Sequence, residues 1–422
     1  MYDSKALGIK ENVIWNGIGN IVYWGCSWLT TILIVRLSGY DDAGILALAM
    51  SICSTIYCIS AYGVYNFQVS DIKGEYSSDS YMSTRIITAL LGFVLCILVC
   101  FIQKYSVYQT GCILMYMLYK TVECFVNVIQ AEEQKRDRMD LVAKSYIIRG
   151  IGGLICYVLG LHYTKNLFLT LCCMSIYSCI VYWIYDLGMI HGILGRKYIL
   201  KKDSNNKRLL VACFPMALYW LFNTLTPTIP KLCIEGMMGA ESLGYYASIS
   251  SPLLVITMAA NFILTPLISP LSVFFAMKKY RKFRNSIIRI SIGIVICGGA
   301  CYIIGRVAAA FFLEILYGKE ILNYMSVAYN IILVILLSTI ISFLNILFTI
   351  FRKLGVLVII NGGASVMALI LCTIFIRKYG MQGANYALFV VYLLQILCMT
   401  FIFAKLCRGW NKQIMEERKN GC

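Results

Sequence analysis

Long apolar runs alternate with short polar stretches along the whole chain. A helix that crosses a bilayer needs about 20 mostly apolar residues. Twelve segments approach or pass that length: 13–34, 44–67, 86–103, 107–130, 146–161, 167–187, 209–230, 245–271, 287–304, 323–350, 355–376 and 381–404. Segment 146–161 is short, and 305–322 is ambiguous. The pattern predicts an all-α polytopic membrane protein with about twelve transmembrane helices. The runs are too long and too uniformly apolar for a β-barrel, whose strands alternate over about 9–11 residues.

Polar residues inside these runs fall at helical spacing. In 107–130, Lys120, Glu123, Asn127 and Gln130 follow one another at steps of 3, 4 and 3, which places them on one helical face. Lys120 and Glu123 sit near the middle of the run. A charge at that depth costs about 2.5–3.5 kcal/mol on insertion scales. Two readings are open: the stripe is the wall of a polar cavity that touches a polar or anionic cargo, or Lys120 and Glu123 form a structural pair that fixes helix packing. Further stripes are Asn12, Asn16, Asn20 and Ser27; Asn223, Thr224, Pro227, Pro230 and Lys231; Asn261, Thr265 and Ser269; and Ser338, Ser342, Asn345, Thr349 and Arg352. The paired prolines are expected to break the last turns of their span. Ser and Thr stripes also glue helix to helix. Arg149, at the start of the fifth span, and Arg352 can reach into a vestibule or snorkel to the interface.

Composition agrees with a membrane protein: 60% of the 422 residues are hydrophobic and 14% charged, where a soluble domain carries about 25% charged residues. The net charge of +17 is explained by its placement. Lys and Arg number twenty-eight on one set of alternating loops and eight on the other, with Lys120 between. That is a positive-inside bias; it puts both termini in the cytoplasm and argues against a nucleic-acid footprint. The first run is long and has no A-x-A site, so it is read as a retained span. Most of the nineteen cysteines lie in apolar runs, and no Cys/His cluster has zinc spacing, so neither disulfides nor a metal or cofactor is expected.

The basic stretch 191–208 separates 1–190 from 209–405, each with six spans, and a tail, 406–422, follows. Six is even, so both halves enter the membrane from the same side, as in parallel repeats. Gly39-Tyr-Asp-Asp-Ala-Gly44 and Gly239-Ala-Glu-Ser-Leu-Gly244 share the pattern G-x-[DE]-x-x-G, each after the first span of its half. Two unrelated tight turns would give the same pattern. There is no phosphate-binding G-x-x-x-x-G-K-[ST], and no large outer loop carries a paired-carboxylate motif. An ATPase, a glycosyltransferase and a polysaccharide polymerase are therefore disfavoured, and no catalytic residue is expected.

The opening block KENVIWNGIGNIVYWGCSWLTTILIVRLSGYDDAGILALA resembles that of bacterial Wzx-type polysaccharide flippases, in the multidrug/oligosaccharidyl-lipid/polysaccharide exporter superfamily. FQVSDIKGEYSSDSYMSTRIIT, EEQKRDRMDLVAKSYIIRGI, FPMALYWLFNTLTPTIPKLCIEGMMGAESLGYYASI, LYGKE and KYGMQGANYAL resemble later segments of that family, in order over nearly the whole chain. The resemblance implies two six-helix bundles around a central cavity and a location in the bacterial cytoplasmic membrane. It also implies a cargo, an undecaprenyl-diphosphate-linked oligosaccharide. Related flippases hold the diphosphate with cations; Lys120, Arg149, Lys231, Arg306 and Arg352 are available here. A polysaccharide polymerase and a chain-length regulator come into view as partners, besides membrane lipids. The candidate cavity set is Lys120, Glu123, Asn127, Asn16, Asn20, Arg149, Asn223, Lys231, Asn345 and Arg352. Glu123 is the candidate for coupling to a proton or sodium gradient. A multidrug or cation exporter of the same superfamily and a lipid II flippase are the alternatives; twelve spans favour the sugar-unit branch over the fourteen-span lipid II flippases.

Overall fold

A computed structural model describes residues 6–71, 74–194, 198, 204–277 and 279–420. Within these ranges, side chains at 193–194, 204–205, 253–269, 280 and 407–420 fall outside the description. The described chain is all-α: α1 Ile9–Ser38, α2 Tyr40–Ala61, α3 Val64–Ser70, α4 Ser78–Gln103, α5 Val107–Lys135, α6 Met139–Thr164, α7 Leu167–Val181, α8 Leu187–Leu194, α9 Ser204–Met238, α10 Ala240–Ala276, α11 Tyr280–Tyr317, α12 Met325–Ile350, α13 Leu354–Tyr379 and α14 Met381–Asn420. Among the described residues, eleven helical segments are long and apolar enough to cross a membrane. The 37-residue α10 occupies the place of the remaining expected span. Helices satisfy their own backbone polar groups, which hydrocarbon demands.

Several boundaries differ from those the apolar pattern predicts. The short segment 146–161 is the centre of α6, which has 26 residues and starts at Met139. Its first two turns carry charge and can stand outside the hydrocarbon, so hydropathy alone misses them. The second span is broken: Tyr62 and Gly63 adopt left-handed φ values of 50° and 68°, ending α2 and starting α3. The sixth span contains a π-helical turn, Tyr182–Asp186, between α7 and α8. The ambiguous region 305–322 is largely helical, as α11 continues to Tyr317.

Helix starts are set by local chemistry. The Ser106 hydroxyl accepts from the Gln109 N–H at 3.2 Å, and the Gln109 side chain accepts from the Ser106 N–H at 3.1 Å, a capping box that opens α5. The Ser77 and Asn166 side chains cap α4 and α7 by accepting from the Ser80 and Leu169 N–H groups.

The chain packs as two compact units. The first comprises residues 1–251 with Leu316–Gly318. Here α1 lies along α6, and a Cβ on Gly19 would stand 2.7 Å from the Ala143 Cα, so the two helices meet through small residues. α2 is flanked by α4, α5 and α9. The compact unit does not end at the basic 191–208 stretch, because α9 and the start of α10 pack with the preceding helices. The repeated turns explain part of this. Gly39 and Gly239 have φ of 96° and 87°, so each turn uses a conformation that favours glycine. The second glycines then meet the opposite turn. A Cβ on Gly44 would sit 1.7 Å from the Ala240 carbonyl oxygen, and one on Gly244 would sit 2.1 Å from that of Tyr40. The Tyr40 and Tyr245 rings stack with centroids 3.8 Å apart. The second unit, 252–315 with 319–422, holds α12, α13 and α14 together through buried amides. Asn361 accepts from Gln395 at 3.1 Å, and Asn385 donates to the Val327 carbonyl at 3.1 Å. The Phe351 ring stacks on Phe403.

Candidate functional site

The stripe on α5 forms a wall of a cavity in the first unit with a volume of about 430 Å³. Lys120, Glu123, Asn127 and Gln130 all line it. α1 contributes Tyr23 and Trp24, α2 Ser54, Tyr57 and Cys58, α6 Tyr146 and Arg149, and α9 Trp220 and Thr224. The break in the second span faces the same space through Ala61, Gly63, Tyr65 and Asn66.

Lys120 Nζ stands 2.6 Å from Glu123 Oε2, with the two side chains only 15% and 16% exposed. The ammonium also lies 5.7, 5.8 and 5.5 Å from the ring centres of Tyr57, Tyr116 and Tyr119. Such ring faces attract a cation. Glu123 Oε1 accepts a hydrogen bond from the Tyr23 hydroxyl, which is 2.9 Å from the Tyr119 hydroxyl. The pair is therefore both self-neutralised and exposed to a cavity. The two sequence readings, cavity wall and structural pair, describe the same residues.

Arg149 is a correction to the expected position. α6 begins ten residues before it, so Arg149 lies deep in the helix, 5% exposed, rather than at its entrance. It does not snorkel. Its Nη2 is 2.6 Å from Asp186 Oδ2, and its Nη1 donates to the Ser178 hydroxyl at 2.7 Å. Ser145 donates to the other Asp186 oxygen at 2.6 Å. Arg149 also borders a second, smaller cavity of about 30 Å³ with Tyr23, Tyr119 and Tyr157.

Other expected site residues are not gathered there. Asn16 and Asn20 bond each other on the exposed side of α1, Asn20 Nδ2 donating to Asn16 Oδ1 at 2.7 Å, and they do not line the cavity. On α9, Trp220 and Thr224 point to the cavity, while Asn223, one helical step aside, and Lys231, two turns on, do not line it. Asn345 is buried in α12, and Arg352 is exposed in the turn after it, with φ 56°; both belong to the second unit. Arg352 is thus an exposed turn residue. In that unit Arg306 stacks on Tyr329, 4.2 Å from its centre. The prolines of α9 do not interrupt it; the helix runs on through Pro227 and Pro230, and the Thr226 and Thr228 hydroxyls donate to the Phe222 and Thr224 carbonyls within that segment. Asn261, Thr265 and Ser269 lie among the side chains outside the description.

Sequence reasoning missed Asp186 and the tyrosines. Asp186 carried a usable signal, a lone carboxylate in the apolar run 167–194. The tyrosines carried none, because they are apolar in body and polar only at the tip. The assembled cavity presents hydroxyls, amides and aromatic faces, with its ion pairs internally balanced. It can hold a polar head rich in hydrogen-bonding groups.

The sequence profile of a family described as "Polysaccharide biosynthesis protein" matches residues 9–274. The chain is 25% identical over 390 residues to the capsular polysaccharide biosynthesis protein CapF of Staphylococcus aureus, covering 87% of this chain and 92% of that protein. Its fold resembles that of the lipid II flippase MurJ in an inward closed conformation, with a TM-score of 0.75 at 15% identity, over 93% of this chain and 87% of that one. A MATE family multidrug resistance transporter of the MOP superfamily, in an inward-facing conformation, is also similar, with a TM-score of 0.65 at 12% identity, over 94% of this chain and 99% of that one. At these identities the structural likenesses concern the fold alone.

Proposed function

The chain belongs to the polysaccharide biosynthesis protein family, and from that premise we propose that it is a flippase for lipid-linked oligosaccharide repeat units. Its cargo would be an undecaprenyl-diphosphate-linked unit, carried across the bacterial cytoplasmic membrane for capsule, O-antigen or exopolysaccharide synthesis. The observation that carries this reading is the polar cavity inside a membrane-spanning bundle, about 430 Å³ in volume and walled by Lys120, Glu123, Asn127 and Gln130. Moving a diphosphate and sugar hydroxyls through bare hydrocarbon is prohibitive. A cavity with hydroxyl, amide and aromatic walls replaces their water while the prenyl tail stays in lipid. Two six-span halves with parallel topology, both termini in the cytoplasm, would alternate access between the two leaflets. No covalent bond is made or broken, so the protein acts as a transporter and not as an enzyme.

Glu123 is the proposed coupling group for a proton or sodium gradient. Its oxygens face Lys120 and Tyr23, which can stabilise either protonation state. Normal transport by Glu123→Gln, with the gradient intact and collapsed alike, would remove this role. The reading as a whole is tested by complementation of a strain lacking its own repeat-unit flippase, scored by surface polysaccharide. Rescue by wild type and not by Lys120→Ala supports a flippase whose cavity pair handles the headgroup. Rescue by both keeps the flippase and makes Lys120 structural. Rescue by neither, at normal expression in strains of several glycan types, together with a change in drug susceptibility, would replace this reading with a multidrug exporter.

A further inference from the structure

Arg85 lies on α4, in the third turn, and is 0% exposed. Its Nη1 donates to the Ser60 carbonyl at 2.7 Å. Its Nε and Nη2 have no hydrogen-bond partner. Among the described residues no ion pair includes it. The Ser60 bond has a local explanation. α2 ends at Ala61, so the Ser60 carbonyl has lost its partner within the helix, and a cation suits a helix C-terminus. That explains one nitrogen. It does not explain a whole guanidinium taken out of water without a counter-ion, which costs far more than one cap returns.

The surroundings indicate where the charge acts. Arg85 is within electrostatic range of Tyr57 and Cys58's neighbour helix at Cys124, and of Cys213 on α9. Tyr57 and Ala61, on either side of Ser60, line the large cavity. Arg85 thus stands directly behind the wall formed by the end of α2. The charged groups on the cavity surface cancel: Lys120 is paired with Glu123, and Arg149 with Asp186. No ion pair among the described residues cancels the charge of Arg85, and a fully buried charge is weakly screened.

We propose that Arg85 is a specificity-determining residue that gives this cavity its positive potential and favours a phosphate- or diphosphate-bearing lipid headgroup over an uncharged one, without touching it. The inference rests on the flippase reading and adds the source of its charge selectivity. A field set from behind the wall leaves the cavity surface free for sugar and lets the anion leave without breaking a direct salt bridge.

The test uses the full-length protein in detergent, with farnesyl diphosphate as probe and farnesol as its uncharged counterpart. Binding is followed by the fluorescence of Trp24 and Trp220 on the cavity wall. Wild type should bind the diphosphate more tightly than the alcohol. Arg85→Gln should lose at least tenfold in diphosphate affinity and leave farnesol unchanged, while Arg85→Lys keeps most of the preference. Cys124→Asp places a carboxylate within electrostatic range of Arg85 and leaves both partners of the Ser60 bond unaltered. It should reproduce the loss, so a folding defect in Arg85→Gln does not remove the test. Unchanged diphosphate affinity in Cys124→Asp, or in a folded Arg85→Gln, overturns the inference and leaves the flippase reading standing. Equal binding of diphosphate and alcohol by wild type overturns the inference and the anionic cargo together.

Discussion

Replacing Lys120 with Met removes one partner of a pair held at 2.6 Å and leaves Glu123 accepting from the Tyr23 hydroxyl in the cavity wall. At that separation and an effective dielectric of about 20, the direct attraction is about 6 kcal/mol. Removing one member of a buried pair costs about 3–5 kcal/mol. The side chains are 15% and 16% exposed, so partial hydration places Lys120→Met near the lower end, at about 3 kcal/mol. Glu123→Gln should cost less, about 1–2 kcal/mol. It strands the ammonium, but three tyrosine faces at 5.5–5.8 Å remain, each worth about 0.5–1 kcal/mol. The double variant Lys120→Met/Glu123→Gln leaves no stranded charge and should lie within about 1 kcal/mol of wild type. The expected coupling, the double minus the sum of the singles, is about 4 kcal/mol in magnitude. The four proteins are compared by thermal unfolding in one detergent, with transport scored separately. Additive shifts, the double equal to the sum of the singles, would refute the pairing argument. A Glu123→Gln shift larger than that of Lys120→Met would refute the part assigned to the tyrosines.

Gly44→Ala puts a Cβ against the Ala240 carbonyl and should destabilise by about 1–3 kcal/mol, whereas Gly17→Ala, with nothing within 4 Å, should be neutral or gain up to about 1 kcal/mol; unfolding temperatures distinguish them. Asp186→Asn leaves the Arg149 guanidinium buried with only the Ser178 hydroxyl and a neutral amide, and should lower stability by about 3–5 kcal/mol, read as loss of folded protein on size-exclusion chromatography. Asp71, outside the spans, accepts from the Glu75 and Tyr76 N–H groups at 2.9 and 3.1 Å and from the Tyr81 hydroxyl at 2.9 Å. Burial acts to raise its carboxyl, but these donors outweigh it and hold it below the usual value. A depressed folded-state value gives stability that is present above about pH 4 and lost as pH falls through the lower value. Asp71→Asn should therefore cut amide protection at Glu75 and Tyr76 at pH 7 by about 1–3 kcal/mol, and the difference from wild type should vanish once acid has protonated Asp71 in the folded protein.

The sequence by itself determined the membrane class, the succession of spans and the stripe Lys120, Glu123, Asn127 and Gln130. Each depends on local spacing: an apolar run long enough for the bilayer, or a period that puts four residues on one face of one helix. The turns at Gly39 and Gly239 were legible for the same reason, since a positive φ is a property of one residue and its neighbours. Their interlocking was not, because it is a contact between positions 200 residues apart. The same limit applied to the charges. Arg149 read as a cation free to reach outward, and only the tertiary structure set Asp186, 37 residues on, against it. Arg85 lies on α4, and only packing put it against the Ser60 carbonyl at the broken end of α2. The tyrosines that surround Lys120 and Glu123 come from α1, α2, α5 and α6, and no period along a single helix marks them. A charge announces itself in sequence by what it costs, but what compensates that cost is decided by which helices meet.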